Sequence, residues 1–149
     1  MSLIATASKL LQGAATGDDI KRSVSTVYYA IFHHLCQRHC DLLVADETLG
    51  AARYQAYRSV EHSNAKAACQ ECRAAGKGFP KGIIRYAETF IWLQELRHDA
   101  DYNPTAQFEF NHVNDLIKSC QNAIAAFDAE PERHRRAFIL FVALKRRGK

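Results

Sequence analysis

A chain of 149 residues, 48% apolar and 24% charged, has room for one domain in which about 70% of the unfolded surface is removed from water; these values exclude a disordered or fibrous chain. The formal charge of +4 arises at one end: residues 133–149 hold seven Lys and Arg and no acid, whereas the first 132 residues hold 13 bases against 16 acids. Five cysteines, an odd number, speak against a disulfide framework and predict reduced thiols.

Apolar positions recur at helical spacing nearly throughout, and bounded period-two alternation is scarce, so the chain reads as an all-α bundle of five to six helices in one domain over 1–149. Helix one is expected over about Ser2 to Gln12, ending at Gly13. Asp18 or Asp19 is expected to cap a long second helix reaching about His39. In that helix Val24, Val27, Tyr28, Ile31 and Leu35 form an apolar stripe with Tyr29, Phe32, His33 and Cys36 on its flank, and His34 is assigned to the solvent face. Asp41 to Leu49 reads as a connection anchored by Leu42, Leu43 and Val44. A third helix spans about Gly50 to Ala74, ended by Gly76, Gly78 and Pro80.

The fourth helix, Lys81 to about Asp99, carries Ile84, Ala87, Phe90, Ile91 and Leu93, with Tyr86 and Trp92 as aromatic bulk, and Asn103-Pro104 stops it. The fifth, about Phe108 to Asp128, is the clearest amphipathic segment, with Val113, Leu116, Ile117, Cys120, Ile124 and Phe127 on one face. Pro131 opens a sixth, where Phe138, Ile139, Phe141, Val142 and Leu144 lie beside the basic cluster. The core is placed at about 18–128, with a basic C-terminal helix and tail at about 131–149. No run approaches the 18 or so apolar residues of a membrane span, and the start has no basic, then apolar leader; a cytoplasmic protein with no membrane partner is expected.

Chemistry concentrates in two clusters. Arg97 and Asp101 lie four apart and share a helix face, with His98 and Tyr102 on the adjacent one. Arg supplies a fixed fork for phosphate oxygens, His moves protons near neutral pH, and Tyr donates or stacks. On spacing alone the commoner outcome is an exposed Arg–Asp pair worth a few tenths of a kcal/mol. Tyr28, Tyr29, Phe32, His33 and His34 form the second cluster, in which His33 taken alone reads as a hydrogen-bonded packing residue. Arg135, Arg136, Lys145, Arg146 and Arg147 are candidates for nucleic-acid contact, against the bland reading of a solubilising tail. Cys69-x-x-Cys72 and the Cys36, His39, Cys40 group have zinc-ligand chemistry, but both sit in helical patterns without a Gly knuckle, so no metal and no cofactor are expected. Walker-type, dinucleotide-binding, His-Glu-x-x-His and nucleophile-elbow signatures are absent.

The two clusters, in this order and in a helical chain, resemble the HEPN superfamily (higher eukaryotes and prokaryotes nucleotide-binding domains). Val27 to His33 is similar to that family's Tyr-Tyr-Ala-x-Phe-His segment. Arg97 to Pro104 is similar to the Arg-x-x-Ala-Asp-Tyr-Asp/Asn-Pro segment of one branch, and Cys120, Ala123 and Phe127 to its alanine-rich last core helix. The resemblance spans about 18–128. It implies an up-and-down bundle, commonly a homodimer with the Arg-bearing segments facing one cleft, acting on RNA in toxin, antiphage or stress-response systems. Many members are metal-independent ribonucleases with His after four to six intervening residues beyond the Arg. Here those places are filled by Tyr102, Asn103 and Pro104. A ribonuclease reading therefore assigns charge stabilisation to Arg97, its orientation to Asp101, hydrogen bonding to Tyr102 and proton transfer to His98 or His33, with Tyr29 contacting nucleic acid and His62 as a further candidate. The alternative is a non-catalytic interaction or nucleotide-binding module that docks a partner protein through its last helix.

Overall fold

The helix that organises the chain begins with a reciprocal cap. In the computed structural model, which describes residues 2–74 and 77–144, Thr16 is the N-cap of α2 (Gly17–Leu43). The Asp19 N–H donates to Thr16 Oγ1 at 3.2 Å, and the Thr16 N–H donates to the Asp19 carboxylate at 3.0 Å. Asp19 is thus the return partner of a capping box, and neither it nor Asp18 is the cap that the sequence suggested.

Seven helices and no strand occur among the described residues, so the all-α reading holds and the helix number exceeds the five to six expected. Before α2 lies α1 (Leu3–Leu10). After it come α3 (Gly50–Arg58), α4 (His62–Cys72), α5 (Lys81–Tyr102), α6 (Phe110–Ala129) and α7 (Glu132–Ala143). The extra helix comes from a break in the predicted third one. The Ala56 carbonyl, which a continuing helix would give to the Val60 N–H, accepts instead from the Ser59 hydroxyl at 2.8 Å and from His39 Nδ1–H at 2.9 Å. Val60 then turns into the core, and the chain restarts as α4.

α2 packs against α1, α3, α5, α6 and α7, and α5 against α2, α4, α6 and α7. Their shared interior holds Tyr28, Ile31, Leu35, Tyr86, Phe90 and Leu93, all fully buried. Tyr86, Phe127 and Phe138 form an aromatic triangle with centroids 4.5 to 6.0 Å apart. Because Phe138, Ile139 and Val142 are buried, α7 closes the core, which reaches beyond the span of 18–128. Trp92, expected to add core bulk, faces outward with its ring 6.1 Å from that of His112. No helix among the described residues is long and apolar enough to cross a membrane.

His34 is not on the solvent face. Its side chain is 10% exposed, with Nδ1 2.9 Å from the Tyr86 hydroxyl and Nε2 3.1 Å from the Asp128 carboxylate. Arg38 grips the same carboxylate through Nε at 2.8 Å and Nη2 at 3.2 Å. Burial holds His34 below the usual histidine range against the pull of Asp128, so the neutral ring donates from Nε2 to Asp128 and accepts the Tyr86 proton at Nδ1. Three helices are stapled by one imidazole.

One turn before Tyr86, at the start of α5, Gly82 is pressed onto α6. A Cβ there would stand 2.6 Å from the Ala126 carbonyl oxygen and 2.6 Å from Glu130 Oε1, and the Gly82 N–H already donates to that carboxylate at 3.1 Å. Gly82→Ala is expected to lower unfolding free energy by about 1–3 kcal/mol in urea titrations despite its better helix propensity; an unchanged or raised midpoint would show that the last turn of α6 yields freely.

His39 is likewise held below its usual range by burial. An unfolded histidine binds its proton near pH 6.5, before these folded ones do, so stability is full above that pH and falls as pH drops toward their depressed values, by up to about 1.4 kcal/mol per pH unit per group. In His34→Gln the plot of unfolding free energy against pH between about 7.5 and 5.5 is expected to be shallower than in the parent. An equal slope in both proteins would remove His34 from the acid sensitivity.

Candidate functional site

The second half of α5 lays Arg97 against α2. Its Nη2–H donates to the Tyr29 hydroxyl at 2.7 Å. Nε lies 2.9 Å from Asp101 Oδ2, but its N–H points off that line, so the contact is an ion pair without a hydrogen bond. The guanidinium carbon stands 5.3 Å from the Tyr29 ring centroid, 5.6 Å from that of Tyr28 and 5.8 Å from that of Tyr102. Three tyrosines from two helices thus surround a side chain that is 17% exposed. The second carboxylate oxygen of Asp101 accepts the Ser25 hydroxyl across the same seam.

Magnitudes rank these contacts. A hydrogen bond to a charged group contributes about 1.5–3 kcal/mol and a partly desolvated cation–π contact about 0.5–2, against about 0.3–0.5 for a helical i,i+4 pair. The Arg97–Asp101 pair expected from spacing is present, yet the clamp between helices rests mainly on Tyr29 and the aromatic faces.

His62, the first residue of α4, completes the site from a third helix. Its Nδ1 is 2.6 Å from the Tyr28 hydroxyl, and its ring stacks on Phe32 at 3.9 Å and 16°. The Tyr28 ring is fully buried, and burial raises the phenol far above its ordinary range. Among the described residues its hydroxyl has this single hydrogen bond, so it donates to His62 Nδ1 and leaves the proton of the neutral imidazole on Nε2. Burial first, then the charges of Arg97 and His33, hold His62 below the usual histidine range.

The remaining candidates divide by place. His98 is exposed, its ring 4.9 Å from that of Tyr102. His33 is exposed as well; its Nδ1 is 2.6 Å from the Tyr57 hydroxyl and its ring 6.3 Å from Tyr29. Arg97, Asp101, Tyr102 and Tyr29 therefore meet directly, with His98 and His33 as flanks. Arg135 and Arg136 are committed elsewhere: Arg135 Nε donates to the Glu130 carbonyl at 3.0 Å, capping the end of α6, and Arg136 pairs with Glu132. Lys145, Arg146 and Arg147 lie outside the described residues.

Ser25 and Tyr28 were not assigned to the site from sequence, and His62 was a further candidate with no place given to it. Tyr28 sits on the apolar stripe and reads as core, and no spacing rule connects His62 to residues 35 positions away. The five cysteines are buried and free. Burial pushes the Cys36 thiol up to about 11 and those of Cys72 and Cys120 up to about 12, which leaves them uncharged at neutral pH. Among the described residues no three His, Cys, Asp or Glu side chains are gathered as a metal site, and His39 is spent on the Ala56 carbonyl.

Beside the clamp, Lys21, Arg22, Ser25, Tyr29 and Asp101 line an open hollow of about 660 Å³. Arg97 Nη1 has no hydrogen-bond partner among the described residues. The arrangement offers an anion a fixed guanidinium edge, flanked by aromatic faces and an imidazole N–H donor. Comparison with protein-family models, curated proteins and solved structures gives no match for this chain.

Tyr29→Phe keeps the ring and removes the acceptor, and is expected to cost about 1.5 kcal/mol or more of stability in urea unfolding. Tyr102→Ala, at a position 64% exposed, should change stability by no more than about 0.5 kcal/mol. Equal effects of the two substitutions would contradict the ranking of the clamp's contacts.

Proposed function

We propose that this chain is a HEPN-like, RNA-directed domain whose working face is centred on Arg97. The observation that carries this reading is convergence: Tyr29 on α2, His62 on α4, and Arg97, His98 and Tyr102 on α5 come together around the buried Tyr28. It combines a cation, stacking faces and imidazoles, the groups that RNA recognition and metal-independent cleavage use. A homodimer, and a role in toxin, antiphage or stress-response systems, follow from the family resemblance alone; a place in the cytoplasm is the reading of the cysteines and of the chain's start.

The cleavage assigned to this face is intramolecular. The RNA 2′-hydroxyl attacks its own 3′-phosphate, forming the 2′-O–P bond as the P–O5′ bond breaks. Products carry a 2′,3′-cyclic phosphate and a 5′-hydroxyl. Arg97 balances charge on the phosphorane oxygens. The exposed His98 ring takes the 2′-hydroxyl proton, the Nε2–H of the neutral His62 donates a hydrogen bond to the leaving oxygen, and that oxygen takes its proton from water. Asp101, held by Ser25, keeps the guanidinium in place. Tyr102 occupies a position where the family carries His, which predicts slow turnover beside firm binding.

A second reading, a non-catalytic module docking a partner protein through α7, has its own support. Leu140 and Leu144 are exposed, beside a hollow lined by Ala67, Ala68, Phe141 and Val142.

Mixed RNA incubated with the full chain in excess chelator is expected to yield 2′,3′-cyclic phosphate ends. Arg97→Ala should abolish them while circular dichroism still reports the native helix content, and Arg97→Lys should retain only a small part of the activity, because a point charge lacks the fork. Cyclic ends that persist in folded Arg97→Ala, or none from the parent chain, would overturn the cleavage assignment and leave the partner-docking reading.

A further inference from the structure

The helix α3 raises a question of its own. Short helices are ordinarily retained for a buried apolar face, yet none of the nine residues of α3 is buried. Apart from the half-buried Tyr57, which packs against the core, polar bonds hold it. Arg53 Nη2 donates to Asp41 at 2.7 Å and its Nη1 to the Val44 carbonyl; the His39 ring holds the Ala56 carbonyl, and the Tyr57 hydroxyl meets His33. These bonds leave Tyr54 62% exposed, with the Arg58 guanidinium 5.6 Å from its ring centroid and Nη1 3.0 Å from its hydroxyl.

This surface is continuous with the Arg97 face. The Tyr102 and His98 rings are 4.9 Å apart on α5, and Arg97 links Tyr102 to Tyr29 on α2. Tyr29 lies 6.3 Å from His33, whose ring stacks 6.0 Å from Tyr57 on α3. Arg58, next in sequence, then covers Tyr54. The rings thus run from α5 across α2 to α3, where Tyr54 lies one turn before Tyr57, with Arg97 between Tyr102 and Tyr29, Arg58 on Tyr54, and Asp18, Lys21 and Arg22 beside Tyr29.

We infer that α3 is a second platform for the nucleic acid bound at Arg97, and that the ligand is a single strand whose unpaired bases stack along these rings. The inference rests on the reading of the Arg97 face as RNA-facing. Rings projecting from a helical surface reach the faces of bases only when those bases are unstacked, as they are in single strands and not in a duplex. The interleaved Arg97 and Arg58 supply phosphate contact and stack on rings or bases through the plane of the guanidinium. Tyr54 and Arg58 bind the strand beyond the reacting bond and take no part in the chemistry.

The test is fluorescence anisotropy of a labelled oligouridylate and of an RNA duplex of similar length, titrated at one fixed salt concentration with the full chain and three variants. The parent is expected to bind the single strand at least about tenfold more tightly than the duplex. Tyr54→Ala and Arg58→Ala, which touch no buried group, are each expected to weaken single-strand binding by about five- to tenfold while thermal unfolding stays unchanged. Arg97→Ala should weaken it further. Binding that depends on Arg97 but not on Tyr54 or Arg58 would overturn the inference alone, freeing α3 for a protein partner. A preference for duplex would overturn it too. No RNA binding by the parent would overturn both this inference and the function on which it rests.

Discussion

A guanidinium cannot give up its charge, and the seam between α2 and α5 is built around that constraint. Arg97 lies mostly out of water where the two central helices meet, and an unpaired charge there would cost several kcal/mol. Tyr29 accepts its hydrogen bond, three ring faces surround it, and Asp101 balances it while held by Ser25 from the opposite helix. The partners come from both helices, so the cation is satisfied only when α2 and α5 are in register. The same arrangement sets out the aromatic and basic groups of the working face.

The pattern recurs around the bundle. Tyr28 with His62, Tyr57 with His33 and Tyr86 with His34 each join a phenol on one helix to an imidazole on another. Apolar packing between helices tolerates sliding and rotation, whereas a buried hydroxyl that must find one ring nitrogen specifies a single arrangement. Burial holds His34 and His62 below the usual histidine range, which ties the integrity of the bundle to pH values above their range. The proposed function and the architecture draw on the same side chains: His62 is at once a staple for Tyr28 and an imidazole beside the Arg97 clamp.

Much of this was legible in the chain. The apolar stripe of α2, the amphipathic face of α6, the stop at Asn103-Pro104 and the Arg97–Asp101 pair all follow from local rules, because spacing along a helix fixes which side chains share a face. Where a reading failed, the cause was a partner distant in sequence. His34 looked solvent-facing until Asp128 and Tyr86 were seen to occupy both of its nitrogens. The predicted third helix broke because Ser59 and His39 took the carbonyl that should have continued it.

The sequence by itself determined that this is a helical bundle and which two segments gather its charged and aromatic side chains. Periodicity and composition are local properties, and they suffice for that. Only the tertiary structure decided what those segments do to one another: that Arg97 is a clamp within tyrosines rather than an exposed ion pair, that His62 arrives from α4, and that α3 stands on polar bonds with its tyrosine turned outward. Each of these depends on which helix a side chain meets across the bundle. That is fixed by the packing of the whole core and by no spacing within one helix.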